Sequence, residues 1–113
     1  MKVYKNGILQ STHPGNTFGT YTHNFRRIGK AWAYSVNGKM DEVSIFNKEL
    51  TGTQVLSIYN NGTPNNILPL NPSLWYRFES TTTNSGIVTT ADDSGNGLTG
   101  TIENGASLST EVP

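Results

Sequence analysis

Asp92 and Asp93 stand side by side in Asp92-Asp93-Ser94-Gly95-Asn96-Gly97, where every other residue is a turn former. A glycosidase needs two carboxylates several ångströms apart across a glycosidic bond. Neighbouring residues of a strand project to opposite faces, so this pair serves such chemistry only if a turn re-aims it. Its other readings are metal ligation or a turn in which an Asp side chain caps local amides. His13 and His23 lie in polar, turn-rich contexts without metal-ligand spacing and read as surface residues. The absence of cysteine removes disulfides, thiolate metal sites and cysteine nucleophiles together. No Gly-x-Ser-x-Gly elbow, phosphate loop or His-Glu-x-x-His occurs. The sequence therefore predicts no catalytic residues and a protein that is not an enzyme. Trp32, Tyr34 and Trp75, with Tyr76 beside them, remain as faces on which a sugar ring can stack. Aromatics at alternating strand spacing more often fill a core, because each offers a large apolar area to bury.

Eight basic and eight acidic residues cancel, the charged fraction is 14%, and the longest basic run is Arg26-Arg27. Nucleic acid and anionic membranes are therefore not expected partners. No segment approaches the roughly 20 apolar residues of a membrane-spanning helix. The start Met1-Lys2-Val3-Tyr4-Lys5 lacks the apolar stretch of a signal peptide. An extracellular site would then require a larger precursor, a dedicated export route or release inside a virus particle. The 113 residues suit one domain. Hydrophobic residues make up 34% and glycine contributes 12 positions. The balance of Thr, Ser and Asn, interleaved with aromatic and β-branched residues, is that of short strands joined by tight turns.

Five Asn-Gly pairs, at 6-7, 37-38, 61-62, 96-97 and 104-105, are turn candidates, since both residues tolerate the positive φ of a type I′ hairpin. Strands are expected over 2–5 and 8–12, closed by Asn6-Gly7, and over 17–22, 25–29, 31–36, 40–46, 74–79, 87–90 and 98–103. The segment 80–86 reads as a polar connection. One helix is expected: Thr51 and Gln54 form a capping box, Leu50 and Val55 are spaced for a hydrophobic staple, and Asn61-Gly62 supplies the positive φ of a C-cap. Its apolar residues Val55, Leu56, Ile58 and Tyr59 lie on one side, as in a small lid. Pro64, Pro69 and Pro72 mark 63–73 as a linker.

The run Val36-Asn37-Gly38-Lys39-Met40-Asp41-Glu42-Val43-Ser44-Ile45-Phe46-Asn47-Lys48-Glu49-Leu50-Thr51, with Gln54-Val55-Leu56-Ser57-Ile58-Tyr59 after it, resembles the closing signature of laminin-G-like jelly-roll domains of the concanavalin A-like lectin group. Val3-Tyr4-Lys5-Asn6-Gly7-Ile8-Leu9 looks like the tyrosine-containing hairpin that precedes that signature. Leu74-Trp75-Tyr76-Arg77-Phe78, with Asp93-Ser94-Gly95-Asn96-Gly97-Leu98-Thr99-Gly100-Thr101 and Asn104-Gly105-Ala106, resembles the opening of the same family. The closing portion thus precedes the opening one, and the family's middle strands have no counterpart.

The resemblance implies an all-β fold, an antiparallel jelly-roll β-sandwich that is partial or permuted, with one short helix. Residues 1–62 form its C-terminal-type half, 63–73 the linker and 74–113 its N-terminal-type strands. Strand 74–78 is expected in the same sandwich as strand 40–46. The resemblance also implies a structural Ca2+ held by Asp41 with Asp93, Ser94 and Asn96; the alternative for Asp41 is a solvent-side residue of a strand. The implied function is non-catalytic recognition or adhesion, glycan- or protein-binding, on an extracellular or phage-virion protein. The alternatives are a structural virion or fibre component complete only in an oligomer and, more remotely, an accessory fragment of a glycoside-processing enzyme. Another polypeptide is expected to complete the sandwich.

Overall fold

A computed structural model of the chain describes residues 1–12, 14, 27–31 and 33–109. The expected strand 17–22, residues 25 and 26 of the strand expected after it, both histidines and Trp32 lie outside the described residues. Among the described residues the chain is all-β apart from one short helix. Nine strands run in the order β1 (Lys2–Lys5), β2 (Ile8–Thr12), β3 (Lys30–Ala31), β4 (Tyr34–Ser35), β5 (Val43–Ile45), β6 (Leu74–Tyr76), β7 (Thr81–Asn84), β8 (Ile87–Thr90) and β9 (Gly100–Ile102). The helix α1 (Gly52–Tyr59) lies between β5 and β6. All pairings are antiparallel and group into four small sheets: β1-β2, β3-β4, β5-β6 and β7-β8-β9.

The first hairpin closes as expected: Asn6 at φ 52° and Gly7 at φ 73° both take the left-handed conformation a two-residue I′ turn demands. A bulge between Val3 and Tyr4 shifts its register, so Tyr4 faces Leu9 and Lys5 faces Ile8. Helix α1 also starts as its sequence requires. Thr51 Oγ1 accepts from the Gln54 amide (3.2 Å), and Gln54 Oε1 accepts from the Thr51 amide (2.9 Å). The helix ends one residue before the expected Asn61-Gly62 cap: Asn60, at φ 39°, already turns left-handed and donates its amide to Leu56 O. A 3₁₀ turn at Asn60–Gly62 follows, and a second at Leu68–Leu70 crosses the proline-rich linker.

Burial concentrates around β6. Ile67, Leu74 and Trp75 are the buried apolar side chains among the described residues, with Pro72 buried beside them. On one edge β6 pairs with β5 in the register Val43↔Tyr76, Ser44↔Trp75, Ile45↔Leu74, extended by the Ser73 amide on Ile45 O (2.7 Å). Strands from the two portions of the sequence therefore share one sheet. Among the described residues the other edge of β6 meets no regular strand. Instead, Asp93 donates its amide to Trp75 O (2.8 Å) and Asp92 Oδ1 accepts the Trp75 amide (3.0 Å). A strand satisfied on both edges and carrying large side chains on both faces is the natural place for a core.

Several strand expectations change. The segment 31–36 is no single strand, because Ala31 of β3 pairs back on Tyr34 of β4. Residues 27–29 are not strand, and the strand expected over 98–103 is only Gly100–Ile102. The strand expected over 40–46 is only Val43–Ile45, because Glu42 at φ 51° leaves the extended conformation. The strand expected over 74–79 stops at Tyr76, and Phe78 turns left-handed at φ 53° while its ring tilts against Tyr76 at 5.9 Å. One strand is new: β7, Thr-Thr-Thr-Asn, pairs with β8 across Ser85-Gly86, whose φ values of 50° and 80° form the same turn that Asn-Gly forms at 6-7.

Candidate functional site

The register that pairs Val43 with Tyr76 carries Glu42 opposite Arg77, just beyond the ends of β5 and β6. Opposite charges at such a cross-strand position attract. The left-handed backbone at Glu42, braced by its amide on Asp41 Oδ1 (2.9 Å), accompanies a carboxylate reaching Trp75 rather than solvent. Trp75 Nε1 donates to Glu42 Oε2 (2.6 Å), and Arg77 Nε donates to Glu42 Oε1 (3.5 Å). The Arg77 guanidinium lies 5.4 Å from the centre of the Trp75 ring, within cation–π range, and also donates from Nη2 to Glu79 Oε1 (2.8 Å).

These side chains form one wall of a cleft of about 350 Å3. Asn65 and Asn66 of the linker, Leu68 and Asp93 complete it. The linker is held over the cleft by Asn65 Nδ2 on Ser57 O (3.3 Å) and by Asn66 Oδ1, which accepts the Leu68 amide (3.0 Å). A second cleft of about 570 Å3 lies on Asn47, Asn71, Pro72, Ser73, Ser94 and Asn96, with Leu68 as a wall common to both.

The 92–98 turn contributes to both clefts and runs along the edge of β6, and Asp92 is its organiser. Oδ1 accepts the amides of Trp75 and Ser94 (3.0 Å each), and Oδ2 accepts that of Leu98 (3.0 Å). Burial alone would push the Asp92 carboxyl up; hydrogen bonds from the Ser94 hydroxyl and from the amides of Leu98, Trp75 and Ser94 outweigh it and hold the group below its ordinary value. Of the adjacent acids, Asp92 is thus the one that caps local amides. Tyr76 keeps its proton more tightly than usual, through burial and then the Asp92 charge, and donates from Oη to Leu98 O (2.6 Å). Gly100 is required by close approach, because a Cβ there would meet Tyr76 Cζ at 2.9 Å and Thr90 Cγ2 at 3.1 Å. Asn96 ties the turn to the linker, Nδ2 donating to Ser73 O (3.1 Å), Pro72 O (3.3 Å) and Ser94 Oγ (3.0 Å).

The aromatic candidates separate. Trp75 is 4% exposed and largely committed to packing, Tyr34 is 82% exposed on β4, and Trp32 lies outside the described residues. Of the expected calcium ligands, Ser94 and Asn96 are together, and Asp93 adjoins them and lines the first cleft. Asp41 does not line that cleft. Ser94 Oγ already accepts from Asn96 N (3.3 Å) and Nδ2 (3.0 Å), so it could turn to a cation only by giving up those bonds. Among the described residues no three His, Cys, Asp or Glu side chains are grouped to hold a metal.

Sequence reasoning missed Glu42, Arg77, Asn65 and Asn66. The signal for the first two was available: once strands 40–46 and 74–78 are paired antiparallel, an acid and a base face each other across the end of the ladder. The asparagines carried no such signal, because a linker's path depends on what it packs against.

Compared with known proteins, the chain matches no protein-family model, no curated protein and no solved structure. Fold and site together define an all-β chain with two adjoining polar clefts, the first of them lined by Trp75. No helix among the described residues is long and apolar enough to cross a membrane.

Proposed function

We propose that this chain is a non-catalytic recognition module, a laminin-G-like, concanavalin A-like sandwich or part of one, that holds a glycan or protein ligand for an extracellular or virion protein. The observation that carries the reading is the chemistry of the first cleft. Its volume lies in the range of ligand sites, and it presents amides, carboxylates and a guanidinium above an indole. Two acids share it, but Glu42 is bound to Trp75 and Arg77 as a structural acceptor. That arrangement suits positioning a ligand better than passing it a proton. A glycan array screened with and without calcium tests the reading. Retention of a defined glycan class, weakened in a variant with Asn65 and Asn66 both replaced by alanine, is expected; an array blank under both conditions overturns the glycan reading and leaves only a protein ligand. A melting temperature raised by millimolar calcium, and no longer raised in Asp41→Ala, would add the ion to the proposal.

A second reading, a structural component complete only in an oligomer, is favoured by a different observation. Against three buried apolar side chains, twelve large hydrophobic residues among those described are at least 40% exposed. Surface of that kind is commonly covered by another polypeptide. Light scattering on the isolated chain separates the two: an oligomer with amides protected only in the assembled form supports the structural reading, and a protected monomer removes it.

A further inference from the structure

The two clefts differ in charge, and the difference specifies a ligand. In the first cleft Arg77 is shared between two acids, Glu42 at 3.5 Å and Glu79 at 2.8 Å, with its flat face toward Trp75. Its charge is offset by those two carboxylates, although Nη1 makes no hydrogen bond among the described residues. Asp93 is the reverse case. Its backbone is pinned by the amide bond to Trp75 O (2.8 Å), while its exposed carboxylate has no side-chain hydrogen bond or ion pair among the described residues. The lining of the cleft thus carries two carboxylates, Glu42 and Asp93, against one guanidinium, and of these Asp93 is the one without a side-chain partner among the described residues. Such a site favours a cation in the ligand and disfavours a phosphate, sulfate or carboxylate.

Across Leu68 the second cleft has no ionisable side chain in its lining. Asn47 and Asn71 make no side-chain hydrogen bond among the described residues, so each offers both a donor and an acceptor. Asn96 has its amino group committed to three acceptors, while its Oδ1 makes no hydrogen bond among the described residues. Paired donors and acceptors match the hydroxyls of a neutral sugar ring, whereas the only apolar lining comes from Leu68 and the buried Pro72, too little to anchor a peptide.

Resting on the recognition reading above, we infer that the two clefts form one track for an oligosaccharide containing a free amino sugar. A protonated amine sits at Asp93 in the first cleft, and a neighbouring ring is held through its hydroxyls by Asn47 and Asn71 in the second, with Leu68 between them.

Calorimetric titration of the whole chain with a glucosamine hexamer, under conditions that keep the amine protonated, and with the N-acetylated hexamer of equal length tests this. The glucosamine oligomer should bind at least tenfold more tightly at low ionic strength, and the margin should shrink as added salt screens the pair. Asp93→Asn, which keeps the backbone bond to Trp75, should erase the preference. A double Asn47→Ala, Asn71→Ala variant should weaken both oligomers alike. Equal or tighter binding of the N-acetylated hexamer overturns the amine assignment and leaves the recognition reading standing. Failure of both hexamers, with other glycans retained on the array, overturns the track in the same way; failure on the array as well overturns both the track and the glycan reading on which it rests.

Discussion

β5 and β6 meet although a helix and a linker separate them in the chain, whereas β1 and β2 meet across the two residues of a turn. Both are antiparallel pairs, but they are held by different forces. The distant pair buries Leu74 and Trp75, is flanked by the Asp92 turn, and carries the Glu42–Trp75–Arg77 cluster. The hairpin buries no large side chain: Ile8 is 64% and Leu9 46% exposed. Its closure comes from the local conformation of Asn6-Gly7, and among the described residues it meets the rest of the chain where Gly7 faces Leu56 and Tyr59 of α1 and through an exposed Lys2–Glu49 ion pair. A strand pair between distant segments must overcome loop-closure entropy with burial, while a hairpin with a pre-shaped turn has little of that entropy to overcome.

Substitutions should expose this difference, most sharply at Trp75. Trp75→Ala removes the ring, the Nε1 bond to Glu42 and the surface on which Arg77 rests, and should cost about 3–5 kcal/mol in urea unfolding. Leu9→Ala, in the hairpin, should stay within about 1 kcal/mol. Similar midpoints for the two variants would erase the distinction between buried seam and local turn.

Asp92→Ala comes next. It leaves three amides without an acceptor and should cost about 2–4 kcal/mol. Because the folded state holds this carboxyl below its ordinary value, its stabilising contribution is complete above the unfolded carboxylate's pKa and is lost as pH falls through the lower, folded value. Thermal unfolding of the parent chain from neutral to strongly acidic pH should lose this contribution across that window. The variant should lack that component of acid sensitivity, and parallel curves for both would place the acid sensitivity elsewhere.

At the hairpin, Gly7→Ala should cost about 1–2 kcal/mol, combining left-handed backbone strain at φ 73° with a Cβ placed 2.8 Å from Leu56 Cδ1. Gly105→Ala, at φ 79° with nothing within 4 Å, should show the strain alone. Equal losses in the two melts would mean that the hairpin does not rest on α1. The smallest effect belongs to the helix cap, where Thr51→Ala removes half of the capping box and should cost about 1 kcal/mol, with Thr51→Ser restoring most of it.

The Asn-Gly pairs illustrate how far sequence reading reaches. At 6-7, 61-62 and 104-105 both residues are left-handed, at 96-97 only the glycine is, and at 37-38 neither is. The dipeptide permits the conformation; the flanking segments decide whether it is used. Strand β7 was illegible for the opposite reason. Its four residues are polar and exposed on both faces, so no alternation marks them, and the clue lay in threonine's β-propensity and a Ser-Gly turn.

By itself the sequence determined whatever depends on neighbours a few residues apart: the 6-7 hairpin, the capping box and left-handed end of α1, the all-β character, and the lack of a basic footprint. It also marked the strand containing Trp75 and the turn containing Asp92 and Asp93. Only the tertiary structure decided that Asp92 turns inward to three amides while Asp93 faces a cleft, that Trp75 is core as well as cleft floor, and that Glu42, Arg77 and the linker asparagines converge there. Those outcomes depend on the register between residues 43–45 and 74–76, and register is set by burial and edge satisfaction across distant segments, which no local pattern encodes.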